Sequence, residues 1–180
     1  MKINLYAFKA IYLHEMDRFR RTLTQSVLSP VLTTSLYFIV FGSVIGGYVE
    51  KIDGISYGSY IVPGLLMLTL LTQSISNTSF GIFFPKFNGT IYEILAAPIS
   101  TLEVVLAFVG AGATKTLIVS IIIFITSLFF VDVQVKYPLL MIFLLILVAF
   151  TFALFGFLIG LMSSDFEQMS IIPTLFVTPM

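Results

Sequence analysis

The chain has 180 residues, one-domain length, with 58% apolar and 10% charged residues. A soluble domain carries roughly 25% charged residues, so too little charge is present to coat a soluble particle, and the chain reads as an integral membrane protein. Formal net charge is zero, which gives no electrostatic footprint for nucleic acid. The absence of cysteine removes disulfides, thiolate metal sites and cysteine nucleophiles, and leaves the redox compartment open.

Residues 3–25 form the first element. Phe8, Tyr12, Met16, Phe19 and Leu23 recur at spacings of three and four, with Ile11 beside them, and stripe one face of a helix. Lys9, Asp17, Arg20 and Arg21 fall largely elsewhere on it. Such a helix is expected to lie in the headgroup region with its apolar side down and its arginines near lipid phosphates. Charges scattered through the first twenty-one residues leave no uninterrupted apolar core for a secretory signal.

A helix needs about 20 apolar residues to cross the hydrocarbon core. Four stretches qualify: residues 27–48, 60–84, 102–131 and 137–162. A fifth apolar run opens near residue 171. Continuous rather than alternating apolar runs imply helices, not a barrel, so the fold class is all-α: a polytopic bundle in one transmembrane domain, 1–180. Pro30 and Pro63 lie near the starts of their spans, where a missing N–H costs little.

Orientation follows from the basic residues. With the N-terminus cytoplasmic, the inner side holds Lys2, Lys9, Arg18, Arg20, Arg21 and Lys86, and the outer loops only Lys51 and Lys136. Tyr48, Tyr57, Tyr60 and Tyr137 gather at the outer ends of spans, where amphipathic rings sit.

Signals for chemistry are sparse. His14 is the lone histidine and belongs to the basic first helix, where a solvated side chain is expected. No metal-ligand spacing and no GxxxxGK[ST] phosphate cradle occur, so no cofactor is expected on this chain and it is not read as an enzyme. No acidic residue lies deep in a span, against a proton- or ion-coupled carrier. Lys115 stands inside the third span, about 24 Å from its outer end at 1.5 Å per residue. Two readings stay open: an amine that snorkels to the inner interface, or one that lines a wet path and meets an anionic substrate group.

The second span carries an uncharged polar stripe of Thr69, Gln73 and Asn77, with Thr72 and Ser76 adjoining. It serves either interhelical hydrogen bonding or the lining of a path for an amphipathic substrate. The small-residue pairs Gly42–Gly46 and Gly156–Gly160 allow close helix approach, within one chain or between two copies.

Residues 85–101 interrupt the apolar pattern with KFNGTIYEILAAPIS. Thr90-Ile91-Tyr92-Glu93 fits a capping box, Gly89 permits a turn before it, and Pro98 ends the helix. Phe87, Ile91, Ile94, Leu95 and Pro98 are expected to face the membrane, and Asn88, Tyr92, Glu93 and Ala96 to face outward. About two turns of helix do not persist alone in water, so the segment must pack against something. It is structured, expected on the cytoplasmic side, and part of a chain with no energy source, which points to a soluble partner that supplies work; a lipid-buried re-entrant turn is the alternative.

Two stretches resemble the membrane subunit of ABC-2 type transporters, the permeases of bacterial multidrug, polysaccharide and lipo-oligosaccharide exporters. They are Tyr60-Ile61-Val62-Pro63-Gly64 and the segment Lys86 to Ser100, which follows the family's K/R-x-x-G-T-x-x-E-x-L-x-x-x-P-[IL]-S pattern. The stretch from Asp165 to Pro173 is similar to the family's inner loop entering a fifth helix. The resemblance implies a permease of a bacterial plasma (inner) membrane that forms a homodimer, pairs with a cytoplasmic ABC ATPase carrying ATP and Mg, and exports a drug, lipid or lipid-linked glycan. It also implies that Lys86, Gly89, Thr90, Ile91, Tyr92, Glu93, Ile94, Leu95, Ala96 and Ala97 form the ATPase-coupling helix. Family members have six helices, so the chain is expected to be a truncated form that does not transport by itself. A non-transporting scaffold or immunity protein on the same fold is the alternative.

Overall fold

The computed structural model describes residues 4–45, 51–52, 55–133, 135–169 and 171. Helix α1 spans Leu5–Arg21, and the Asn4 side chain caps it by accepting the Ala7 N–H at 3.3 Å. After Thr22 comes α2, Leu23–Tyr37, continued by a π-helical stretch Phe38–Ile45. Short strands β1 (Lys51–Ile52) and β2 (Ile55–Ser56) pair antiparallel, with Lys51 opposite Ser56. Then follow α3 (Tyr57–Phe87), the short α4 (Ile91–Ala96), α5 (Thr101–Leu128) and α6 (Pro138–Met162). Four helical stretches among the described residues are long and apolar enough to cross a membrane: Leu23–Phe41, Tyr57–Phe87, Thr101–Leu128 and Pro138–Met162. The fifth run beyond Ile171, and Gly46 of the pair Gly42–Gly46, fall outside what is described.

Helices α2 and α3 begin earlier than their apolar runs suggest. Pro30 and Pro63 therefore sit two turns inside α2 and α3 instead of at their starts. Helix formation needs only backbone continuity, so the Ser- and Thr-bearing residues ahead of each apolar run join the helix.

The centre of the bundle is α3 packed on α6 and α5. Leu66, Leu70, Val104, Phe108, Ala149, Ala153 and Phe157 meet there, all buried. Lipid offers no hydrophobic drive between helices, so close van der Waals fit and interhelical hydrogen bonds must hold them. Both are present. Gly156 and Gly160 lay α6 directly against the backbone at Ile75 and Ser79 of α3, and Gly112 of α5 faces Thr78. The Ser74 hydroxyl donates to the Ala149 carbonyl at 2.8 Å. The Gly156–Gly160 pair is thus an internal seam. Broad apolar faces, such as Leu139, Phe143 and Leu147 on α6, stay exposed on the other side, as lipid-facing surface does.

Helix α1 departs from expectation. Its apolar stripe exists, but it lies against α5 instead of resting only on lipid. Asn4 donates its N–H to the Glu103 carboxylate, the Tyr12 hydroxyl meets the Thr114 hydroxyl at 3.0 Å, and Phe19 is buried against Val119 and Ile123. Glu103 to Val119 covers about 24 Å of α5 at 1.5 Å per residue, nearly the whole length of α1. The two helices run side by side. An amphipathic stripe is satisfied by any apolar surface, and a neighbouring helix with matching polar groups outcompetes lipid for it.

Candidate functional site

The segment between α3 and α5 projects from the C-terminal end of α3 and the N-terminal end of α5. Asn88 closes α3 by donating its N–H to the Phe84 carbonyl at 3.0 Å. Gly89 then takes φ +78°, with its N–H on the Lys86 carbonyl at 3.3 Å. That left-handed conformation is open to glycine without a Cβ penalty. A Cβ at Gly89 would touch nothing within 4 Å, so Gly89→Ala isolates backbone strain. It is expected to cost about 1–2 kcal/mol, read as a lowered thermal midpoint of the purified protein, with Gly89→Asn costing less.

The capping box is one segment further on than expected. Thr90 has helical backbone angles (φ −68°, ψ −13°), its side chain caps no amide, and its hydroxyl instead donates to the Pro85 carbonyl at 3.4 Å. An N-cap needs an extended backbone to aim its oxygen at the third amide. Ser100 has one, at ψ 149°, and accepts the Glu103 N–H at 3.3 Å, while Glu103 Oε2 accepts the Ser100 N–H at 2.9 Å. The same S/T-x-x-E spacing occurs at both sites, and only the second has the geometry.

Ile91 and Ile94 of α4 are half-buried and pack on the central core. Tyr92, Glu93, Leu95 and Ala96 are exposed, Tyr92 at 73% and Leu95 at 67%. The two half-buried isoleucines, three residues apart, mark the side of α4 that packs on the core. Ala97 is extended (ψ 151°) ahead of Pro98, which ends α4.

The root of the segment is fastened. Lys86 Nζ donates to the Leu161 carbonyl at 2.7 Å and the Ser163 carbonyl at 2.9 Å. These carbonyls belong to the end of α6, where unpaired acceptors and the negative end of the helix dipole favour a cation. Phe166, beyond α6, meets the rings of Phe83 and Phe87 edge-on, with centroids 4.9 and 4.8 Å apart. Lys86 thus ties α3 to α6, leaving the exposed face of α4 as the surface available for contact.

The polar stripe of α3 divides. Thr69 and Thr72 donate to carbonyls of their own helix, at Leu65 (2.8 Å) and Leu68 (2.9 Å). Asn77 reaches Thr116 of α5 at 3.4 Å, Gln73 is half-buried beside it, and Ser76 is exposed. A cleft of about 1340 Å³ opens near the N-terminal ends of α3 and α6, with Tyr60, Met67, Tyr137 and Met141 on its walls and Asp132 and Lys136 at its rim. None of the stripe residues, nor Lys115, is among its lining residues.

Lys115 neither snorkels nor lines a path in this structure. It is 3% exposed, and its Nζ sits 2.7 Å from Glu15 Oε2 of α1, itself 2% exposed. Arg18 shares that oxygen at 2.8 Å and lies over the Phe80 ring of α3 at 5.4 Å. Desolvating a charge is costly unless it is paired, and a carboxylate from α1 supplies the pair. Sequence reasoning did not single out Glu15.

The profile of the ABC-2 type transporter family matches residues 6–180. The chain is 37% identical, over all of its 180 residues and 70% of the relative's length, to the "Inner membrane transport permease YadH" of Escherichia coli strain K12, and equally to those of Escherichia coli O157:H7 and Shigella flexneri. No solved structure matches it. With its packed spanning helices and the fastened segment between α3 and α5, the chain belongs to the ABC-2 type transporter family.

Proposed function

We propose that the chain is the transmembrane permease subunit of an ATP-driven exporter, lodged in the bacterial inner membrane with its N-terminus cytoplasmic and acting as a homodimer. The observation that carries the reading is α4. It is a six-residue helix with a fixed root, and it presents Tyr92, Glu93 and Leu95 outward at the junction of two spanning helices. A soluble ATPase that clasps this helix moves α3 and α5 directly, and through Lys86 the end of α6 as well. ATP and Mg²⁺ belong to that partner. Family membership and the relatives' description as inner membrane transport permeases support the same reading. The substrate is an amphipathic drug, lipid or lipid-linked glycan, moved by alternating access between two permease copies. Asn77 with Gln73 remains the part of the polar stripe that such a path would use.

Co-purification tests it. The double variant Tyr92→Asp with Glu93→Arg inverts one charge and adds another on the exposed face without touching Ile91 or Ile94. It is expected to keep its fold and lose at least about tenfold in affinity for the cognate ATPase, the loss of roughly 1.4 kcal/mol. Retention of the complex with full ATP hydrolysis would overturn the assignment.

A further inference from the structure

We propose that Glu15 and Lys115 are positioning residues of the transport cycle: their buried pair locks α1 onto α5, so that α1 moves with the coupling segment and hands its displacement to α2. The inference rests on the coupling reading above, and it extends that reading to a helix which the sequence places in the headgroup region.

Three observations carry it. First, the lock is deep and joins residues 100 positions apart, with both partners almost fully buried and 2.7 Å between them. An apolar stripe alone tolerates sliding. A buried charge pair does not, because a shift of one helical turn carries Glu15 and Arg18 away together and leaves Lys115 in an apolar place with no counter-ion. Setting register is the best-attested use of such pairs.

Second, the lock engages both helices that flank α4. Arg18 shares the Glu15 oxygen and covers Phe80 of α3. Gly81 of α3 makes room: a Cβ there would stand 3.3 Å from Glu15 Oε2. At the other end of α1, the Glu103 carboxylate that caps α5 immediately after the coupling segment also accepts the Asn4 N–H. The helix is therefore held at both ends, and one holding group is the cap that α4 leads into.

Third, α1 has a short route to α2. Thr22 alone separates them, and its N–H donates to the Arg18 and Phe19 carbonyls at 3.2 and 3.1 Å. Beyond it, Val27 and Val31 of α2 share a cluster with Phe19, Val119 and Ile123. A push on α4 thus reaches the first spanning helix without crossing the α3–α6 seam.

The test uses the full chain in lipid nanodiscs, diluted with unlabelled copies. Its lack of native cysteine allows nitroxide labels at Leu13 and Ile121, both exposed, with no background. Wild type is expected to give one narrow distance distribution, Lys115→Met a broad one, and the swap Glu15→Lys with Lys115→Glu a narrow one again. Lys115→Arg, which keeps the charge, should also stay narrow, so a general folding defect is told apart from loss of the pair. A narrow distribution in Lys115→Met, or a swap that fails to restore it while Lys115→Arg keeps it, overturns the lock. With the ATPase bound, the wild-type distance should be the same in nucleotide-free and ATP-trapped states. A change between them shows that α1 does not travel with α5 and overturns the proposal. Should no ATPase bind, the coupling reading fails, and the permease-only distributions still decide for or against the lock.

Discussion

Glu15→Gln is expected to destabilise the protein more than Lys115→Met, although each removes one half of the same ion pair. Glu15 Oε2 holds two cations, Lys115 at 2.7 Å and Arg18 at 2.8 Å. Neutralising the glutamate strands Lys115, which is 3% exposed and has no other anion among the described ion pairs. Removing one partner of a buried pair costs about 3–5 kcal/mol. Lys115→Met leaves Glu15 with Arg18 still in place, so its cost falls to about 1.5–3 kcal/mol, that of one hydrogen bond to a charged group. The double variant Glu15→Gln with Lys115→Met should recover much of the loss seen in Glu15→Gln alone, since no uncompensated charge remains at position 115. Equilibrium unfolding in detergent micelles reads all three. Equal losses in the two single variants, or strict additivity in the double, would mean that the pair is solvated.

That pair also marks where sequence reading stops. The spanning helices are legible because about 20 continuous apolar residues have few other uses. The segment between α3 and α5 is legible because Gly89 and Pro98 punctuate it, each acting through its own backbone. Glu15 is different. It lies three residues after Tyr12 and four before Phe19, so an acid interrupts the very stripe that marks the apolar face of α1. Lys115 stands alone in an apolar span. Each is anomalous by itself, and a search for complementary buried charges would have paired them. What no local pattern contains is that α1 lies beside α5, since amphipathicity specifies a face and not what covers it. Thr90 and Ser100 teach the same lesson at shorter range. Both begin an S/T-x-x-E sequence, and backbone angles set by the turn at Gly89 and by Pro98 decide which one caps. Lys86 was legible as a motif position, while its actual partners, the carbonyls ending α6, lie 75 and 77 residues away.

Gly156→Leu is expected to open the α3–α6 seam, with the largest effect of any single change in α6. A Cβ at this position would stand 2.8 Å from Ile75 Cα and collide with the Ile75 carbonyl oxygen; at Gly160 it would come 3.0 Å from Ser79 Cα. These are backbone atoms, so no rotamer change relieves the contact and the helix axes must separate. Separation breaks the Ser74–Ala149 hydrogen bond and loosens Leu70, Ala149 and Ala153, each 0% exposed. Even Gly156→Ala carries the usual overpacking cost of about 1–3 kcal/mol, and leucine exceeds it. Gly110 of α5 is the control. A Cβ there meets nothing within 4 Å, so Gly110→Ala should leave the protein unchanged or raise its stability by up to about 1 kcal/mol through helix propensity. Thermal unfolding of the three variants in one detergent compares them directly. A Gly156→Ala protein as stable as Gly110→Ala would show that α3 and α6 stand further apart than the seam requires. The close approach, not glycine's helix propensity, is what position 156 serves.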